Sequence, residues 1–286
     1  MRRSYRPMFA VLGLIALAGC ATPQSLDAER LSKELARRPV VLLGEVHDNV
    51  AQHRARAEAV RRHLEAGARP AIAFEQFDRE RQADIDRARR ERPPEGQSLA
   101  DHVIAQARTP KDNWDWALYR PFVELALQFD LPIVAANLSR SEATRIVRQG
   151  ADSVFNETER RELALERFAA IVPAHEHIVQ VGHCNLLPTS ALPGLARAQI
   201  ARDAVLARSL RPYLTRGVIL LTGNGHARRD IGVPQHFTAA EQSRIWSVGL
   251  LEEGTAVERA SHYDVAFLTP EQERPDPCAS LKPKGG

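Results

Sequence analysis

"VVLLGEVHDN", residues 40–49, decides the reading of this chain. Four aliphatic residues stop at Gly44, and a carboxylate and an imidazole follow at once as Glu45 and His47. A short apolar run with no polar alternation is the pattern of a strand covered on both faces, as in parallel sheets. Five further runs share it: AIAFE (71–75), PIVAANL (132–138), VILLTG (218–223), IWSVGLL (245–251) and DVAFLT (264–269). Longer helical patterns between them suit right-handed crossovers. The expectation is therefore an α/β fold, a mostly parallel central sheet flanked by helices, with helical insertions.

The segments around the strands carry their own signals. Asp48 or Asn49 can cap a helix that Gly67 ends, and Val50, His53, Ala57, Val60 and Leu64 share one face of it. His53 thus falls in the stripe that faces the sheet. Residues 80–100, charged and holding Pro93-Pro94, read as an exposed arm. In NWDWALYRPFVELALQF (113–129), Pro121 is tolerable near a helix start, and Trp114 and Trp116 read as packing residues. Ser139 with Glu142 suggests a capping box for a helix ending at Gly150. HEHIVQVGHCNLLP (175–188) has a strand-like composition in a helical neighbourhood, whereas ALPGLARAQIARDAVLARSL is helix, with Gln199 and Asp203 one turn apart.

The opening device occurs twice. VILLTGNGH (218–226) repeats VVLLGEVH as an apolar strand followed by Gly-x-x-His, with Gly44 and Gly223 three residues before His47 and His226. Ligands of open parallel sheets bind beyond the carboxyl ends of the strands. If the two strands are neighbours, both imidazoles reach one crevice. The third run ends there too, at Glu75. Glu45, His47, Glu75 and His226 then suit a divalent metal, an acid–base pair activating water, or iron held by an imidazole. Arg228 either clamps carboxylates nearby or sits in a solvated turn. The motifs of covalent haem attachment, zinc peptidases, P-loops, serine hydrolases and dinucleotide binding are missing.

The N-terminus reads as a targeting segment. Arg2, Arg3 and Arg6 precede an apolar run from Met8 to Ala18 that is about half the roughly 20 residues a spanning helix needs. Leu17-Ala18-Gly19-Cys20 resembles a bacterial lipobox, so residues 1–19 are expected to be a signal peptide and Cys20 the lipidated residue. Residues 20–37 would be a tether, and 38–280 one α/β domain. Alanine at position 21 points to the outer membrane. Without the three signal arginines, 36 basic residues balance 36 acidic ones, which leaves no electrostatic footprint for nucleic acid. With Cys20 acylated, Cys184 and Cys278 remain in an oxidising compartment, where a disulfide is expected.

GEVHDNVAQH, FEQ, NWDWALYRP, VAANLSR, HCNLLP, AQIARDAVLA, GNGHARRDIGVP and RPDPC together resemble the ChaN-like haem-binding lipoprotein family, grouped with the wider Tiki/TraB and erythromycin-esterase superfamily. The resemblance runs from about residue 38 to 280. It implies an α/β domain with an outer-membrane tether, a role in haem or iron acquisition, dimers with haem at the interface, and an outer-membrane receptor as partner. By position it makes Glu45, His47, Glu75 and His226 the pocket, and His183, Gln199, Asp203 and Arg228 its support; His53, from its place on the helix stripe alone, is either a further supporting residue or a satisfied core histidine. The resemblance puts Tyr119 forward as iron ligand, makes 175–186 a helix, and strengthens the Cys184–Cys278 pairing. In the Tiki relatives such motifs bind divalent metal for peptide cleavage, and in the esterases the Glu/His set activates water.

Two functions follow. The favoured one is a haem-binding protein in which His47, Tyr119, His226 and Arg228 contact the cofactor. The alternative is a hydrolase, with or without metal, in which His47 or Glu75 deprotonates water and His226 stabilises the product oxyanion.

Overall fold

The computed structural model describes residues 24–109, 112–255, 259–276 and 278–279. The signal segment and Cys20 lie outside them. All six apolar runs form strands, and a two-residue strand precedes them: β1 (Gln24–Ser25), β2 (Val40–Leu43), β3 (Ala71–Asp78), β4 (Ile133–Asn137), β5 (Val218–Leu221), β6 (Ile245–Glu252) and β7 (Val265–Thr269). Their order across the sheet is β1-β7-β6-β2-β5-β3-β4, and every neighbouring pair is parallel.

Side-chain alternation within each strand feeds two cores. Val41 and Leu43 pack on one face with Ile72, Phe74, Ile219 and Leu221. That face is covered by α1 (Ala28–Leu35), α2 (Val50–Glu65), α3 (Gln82–Ala88), α4 (Leu99–Ala107) and α5 (Trp116–Gln128). Val40 and Leu42 point the other way, onto Leu206, Ala207 and Leu210. After α6 (Arg140–Gln149), α7 (Glu157–Leu163) and α8 (Val172–Gly182), the helix α9 (Leu192–Leu210) supplies those residues. Burial on both faces is why the strands lack a polar alternation.

The fold begins earlier than residue 38. β1 pairs with β7, and Asp27 caps α1 by accepting from the Arg30 N–H. Leu31 and Leu35 are fully buried, each contributing about 1.5–3 kcal/mol. The expected tether is thus, from residue 24 on, part of the domain. The expected arm at 80–100 is also partly core, because Ile85 and Ala88 of α3 are buried beneath their charged neighbours. Residues 172–182 are helical, and the chain leaves α8 through Cys184 and Asn185, both in the left-handed region at φ 60° and 59°. Cys184 is disulfide-bonded to Cys278 across 94 residues, with Cα atoms 5.6 Å apart. Among the described residues, no helix is long and apolar enough to cross a membrane.

Candidate functional site

The sheet register brings the two Gly-x-x-His turns together. β2 and β5 are adjacent, with Leu43 opposite Leu221, and β5 in turn pairs with β3, with Leu221 opposite Phe74. Gly44-Glu45, Thr222-Gly223 and Glu75 therefore leave the sheet at one level. Close packing explains both glycines. A Cβ on Gly44 would lie 2.8 Å from the Val248 carbonyl oxygen, and one on Gly223 would lie 2.7 Å from His47 Cε1. The His47 ring rests directly on the Gly223 backbone.

Glu45 is turned inward, away from solvent. Its Oε1 accepts from Tyr119 Oη at 2.5 Å and from His47 Nδ1 at 3.0 Å. Its Oε2 lies 3.3 Å from His53 Nε2 and forms an ion pair with the fully buried Arg56. Arg56 also donates to the Leu43 carbonyl at 3.1 Å, locking α2 to the end of β2. His53 Nε2 donates to the His47 carbonyl at 3.0 Å, and burial pushes its pKa down to about 4, so it stands neutral. The carboxylate thus fixes the His47 tautomer. Nδ1 donates to Glu45, and Nε2 makes no hydrogen bond among the described residues. The His47 side chain is 49% exposed, with Trp114 edge-on at 4.9 Å.

His226 is held differently. Its Nδ1 donates to Asp203 Oδ1 at 2.6 Å, and its Nε2 lies 3.5 Å from Glu75 Oε1. Burial would discharge the ring, but Asp203 and Glu75 outweigh it and raise its pKa. Glu75 Oε2 accepts from Thr222 Oγ1 at 2.7 Å and from the Gly223 N–H at 2.8 Å. Burial opposes its charge, yet His226, His47 and these two donors bring its pKa down to about 2. His226 is clamped between two acids, whereas His47 contacts one, through Nδ1.

Both histidines line a cleft of about 1190 Å³, with Val50, Trp114 and Leu118 as its apolar part and Gln199, Arg202 and Arg140 on another wall. The four-residue set does not assemble into one chelating group, because Glu45 faces the buried arginine and Glu75 faces the β5 turn. Among the described residues, no three His, Cys, Asp or Glu side chains stand close enough to hold a metal ion. Tyr119 is a supporting residue and not an exposed ligand. It is 1% exposed, its hydroxyl is spent on Glu45, and burial raises its pKa. Arg228 forks onto Asp230, at 2.9 Å from Nε, and does not line the cleft. His183 lies at the exposed end of α8, its Nδ1 on the Val179 carbonyl at 2.7 Å. Of the expected support, Asp203, His53 and Gln199 reach the site or its wall.

Arg56 and Thr222 escaped the sequence reading. Arg56 follows Gln52 and His53 by one turn of α2, so helical spacing was an available signal for it. Thr222 carried only its position in the strand end.

An all-parallel sheet with two carboxylate-oriented histidines over its carboxyl edge defines an α/β ligand-binding protein of the doubly wound kind. Residues 31–237 match the haem-binding uptake family of the Tiki superfamily, ChaN, and the chain belongs to that family. The solved structure described as cofacial heme binding to ChaN of Campylobacter jejuni is similar at a TM-score of 0.64 and 23% identity, over 83% of this chain and 90% of that one. At that identity the likeness speaks to the fold. An erythromycin esterase mutant in its open conformation is a remote likeness, with a TM-score of 0.45 and 11% identity over 78% of this chain and 72% of that one. No curated protein matches the chain.

Proposed function

We propose that this chain binds haem at the mouth of the cleft, with His47 as the iron ligand, in a haem or iron uptake route. The observation that carries the reading is the state of His47: half-exposed, fixed by Glu45 through Nδ1, and offering Nε2. A carboxylate behind a ligating imidazole sets its tautomer and raises its basicity. The His226 side chain is only 14% exposed, with Nε2 facing the Glu75 carboxylate at 3.5 Å, and Tyr119 has no exposed hydroxyl, so His47 matches the role better than either. Val50 (38% exposed), Trp114 and Leu118 supply apolar surface for a macrocycle. Bound haem would supply an iron centre that takes a nitrogen lone pair. The protein's part is to hold that lone pair in place.

Family membership and the Campylobacter jejuni protein's cofacial binding support extending the reading to two copies of this chain facing one another, with haem between them. The lipobox-like LAGC, the N-terminal arginines and the Cys184–Cys278 bridge support an exported lipoprotein on the outer membrane, with a haem receptor there as its partner. Visible titration of the mature protein with haemin tests the reading, and a featureless spectrum sinks it. One arrangement favours hydrolysis instead. Asp203, His226 and Glu75 form a buried charged relay that haem capture does not require, and turnover of an ester or peptide panel, lost in His226→Ala, would establish that function.

A further inference from the structure

Buried polar atoms without partners are costly and few, so where they gather calls for an explanation. Several gather on one wall of the cleft, away from His47. Gln76 at the end of β3 is 4% exposed, and its amide meets no partner at good hydrogen-bonding geometry, with the Tyr119 hydroxyl as a polar neighbour. Asn137 at the end of β4 is 8% exposed, with its Oδ1 unpartnered. Arg202 of α9 completes the set. Its Nε is buried without a partner, its Nη1 donates to Gln199 Oε1 at 3.2 Å, and it forms no ion pair among the described residues. All line the cleft, beside the first turn of α6 with Arg140.

The chemistry of this wall differs from that of the rim. A guanidinium without a carboxylate and a helix N-terminus both favour an anionic oxygen. Unpartnered side-chain amides offer a donor and an acceptor each, and their two ends are interchangeable by rotation. Asp78, an acid on this wall, is pushed up to about 6 by burial and Glu80, with Arg202 acting against the shift. No flat apolar macrocycle uses such groups. Carboxylates do.

We infer that Arg202, with the amides of Gln76 and Asn137, forms a carboxylate-binding subsite inside the cleft. The carboxylate belongs either to a haem propionate, in which case the inference rests on the haem reading, or to a separate carboxylic acid, in which case it does not. In both cases Arg202 makes the charge-assisted contact, and the amides add directional hydrogen bonds.

The test uses the full mature protein and Arg202→Gln, titrated with haemin, with haemin dimethyl ester, which has no free carboxylate, and with citrate. The expected result is haemin binding weakened about ten- to a hundredfold in Arg202→Gln, with ester binding unchanged. If haemin is insensitive, or does not bind at all, and citrate binds the wild type but not the variant, the subsite stands with a separate acid as its ligand. Indifference of both haemin and citrate to the substitution overturns the inference, whereas a wild type that does not bind haemin but binds citrate through Arg202 overturns only the haem reading. Asn137→Leu gives a measurement independent of any ligand. Replacing an unpartnered buried amide will raise the melting temperature of the ligand-free protein by about 2–4 °C. A comparable fall would show that the amide serves the fold, and would count against the subsite.

Discussion

Gly223→Ala separates the geometry of the site from the stability of the fold. An added Cβ would lie 2.7 Å from His47 Cε1 and 2.9 Å from Nε2, so the ring must retreat about 0.7 Å to reach an ordinary 3.4 Å contact. The backbone accepts alanine, since φ at Gly223 is −65°. The neighbour that yields is a half-exposed side chain, and the main loss is its 3.0 Å bond to Glu45, which screening limits to about 1 kcal/mol. Gly44→Ala makes the contrast, because there the added Cβ meets the Val248 carbonyl at 2.8 Å and the strand itself must move, costing about 1–3 kcal/mol. Gly223→Ala is therefore expected to melt near the wild type and to bind haemin at least about tenfold more weakly, or about 1.4 kcal/mol. Paired Soret titrations and thermal melts of the two variants check this. Wild-type haemin affinity in Gly223→Ala, or a melting loss as large as that of Gly44→Ala, would refute the reasoning.

Other consequences follow from the same contacts. Arg56→Met strands the Glu45 carboxylate in the interior and will cost about 3–5 kcal/mol in denaturant unfolding, much of which Glu45→Leu in the same chain will return. Glu75, held near 2 in the folded state, contributes about 3 kcal/mol that is present above the unfolded carboxylate pKa and lost as pH falls from about 5 toward 2; Glu75→Gln will flatten that limb of the stability profile. His226 has the opposite sign, its contribution being complete below the unfolded imidazole pKa and lost as pH rises through the raised folded value, so His226→Gln will remove a decline on the alkaline side of the same profile. Cys278→Ser opens a 94-residue loop and will lower unfolding free energy by up to about 4–5 kcal/mol, read as a melting shift equal to that caused by a reductant. Arg274, at 2.9 Å from Asp48 and 2.8 Å from Glu252, straps the C-terminal segment over the His47 turn, and Arg274→Gln will speed amide exchange at residues 46–50.

What the sequence made legible was local. The apolar runs mark their own strands, and the Gly-x-x-His turns show because glycine and histidine sit three residues apart in the chain. The adjacency of those turns depends on β5 returning between β2 and β3, a pairing across almost 180 residues that no local pattern encodes. Depth was the other hidden quantity. Tyr119 lies in a recognisable motif, but only the packing of α5 against α2 turns its hydroxyl onto Glu45. Arg56 reads as a surface residue until Glu45 is seen to need a cation. Arg228 finds its carboxylate two residues away, at Asp230, a pairing within reach of the local sequence. The inventory of two acids and two histidines could be read from the strand ends. It concealed that one acid serves each histidine separately, which is why no metal cage forms from them.

The most direct test of the account is a haemin titration of the mature protein beside His47→Ala, His226→Ala and Tyr119→Phe, followed in the Soret region. A saturable band that collapses or shifts in His47→Ala, while Tyr119→Phe and His226→Ala keep its position, is the predicted result. A band unchanged in His47→Ala, or one altered by Tyr119→Phe alone, would contradict it.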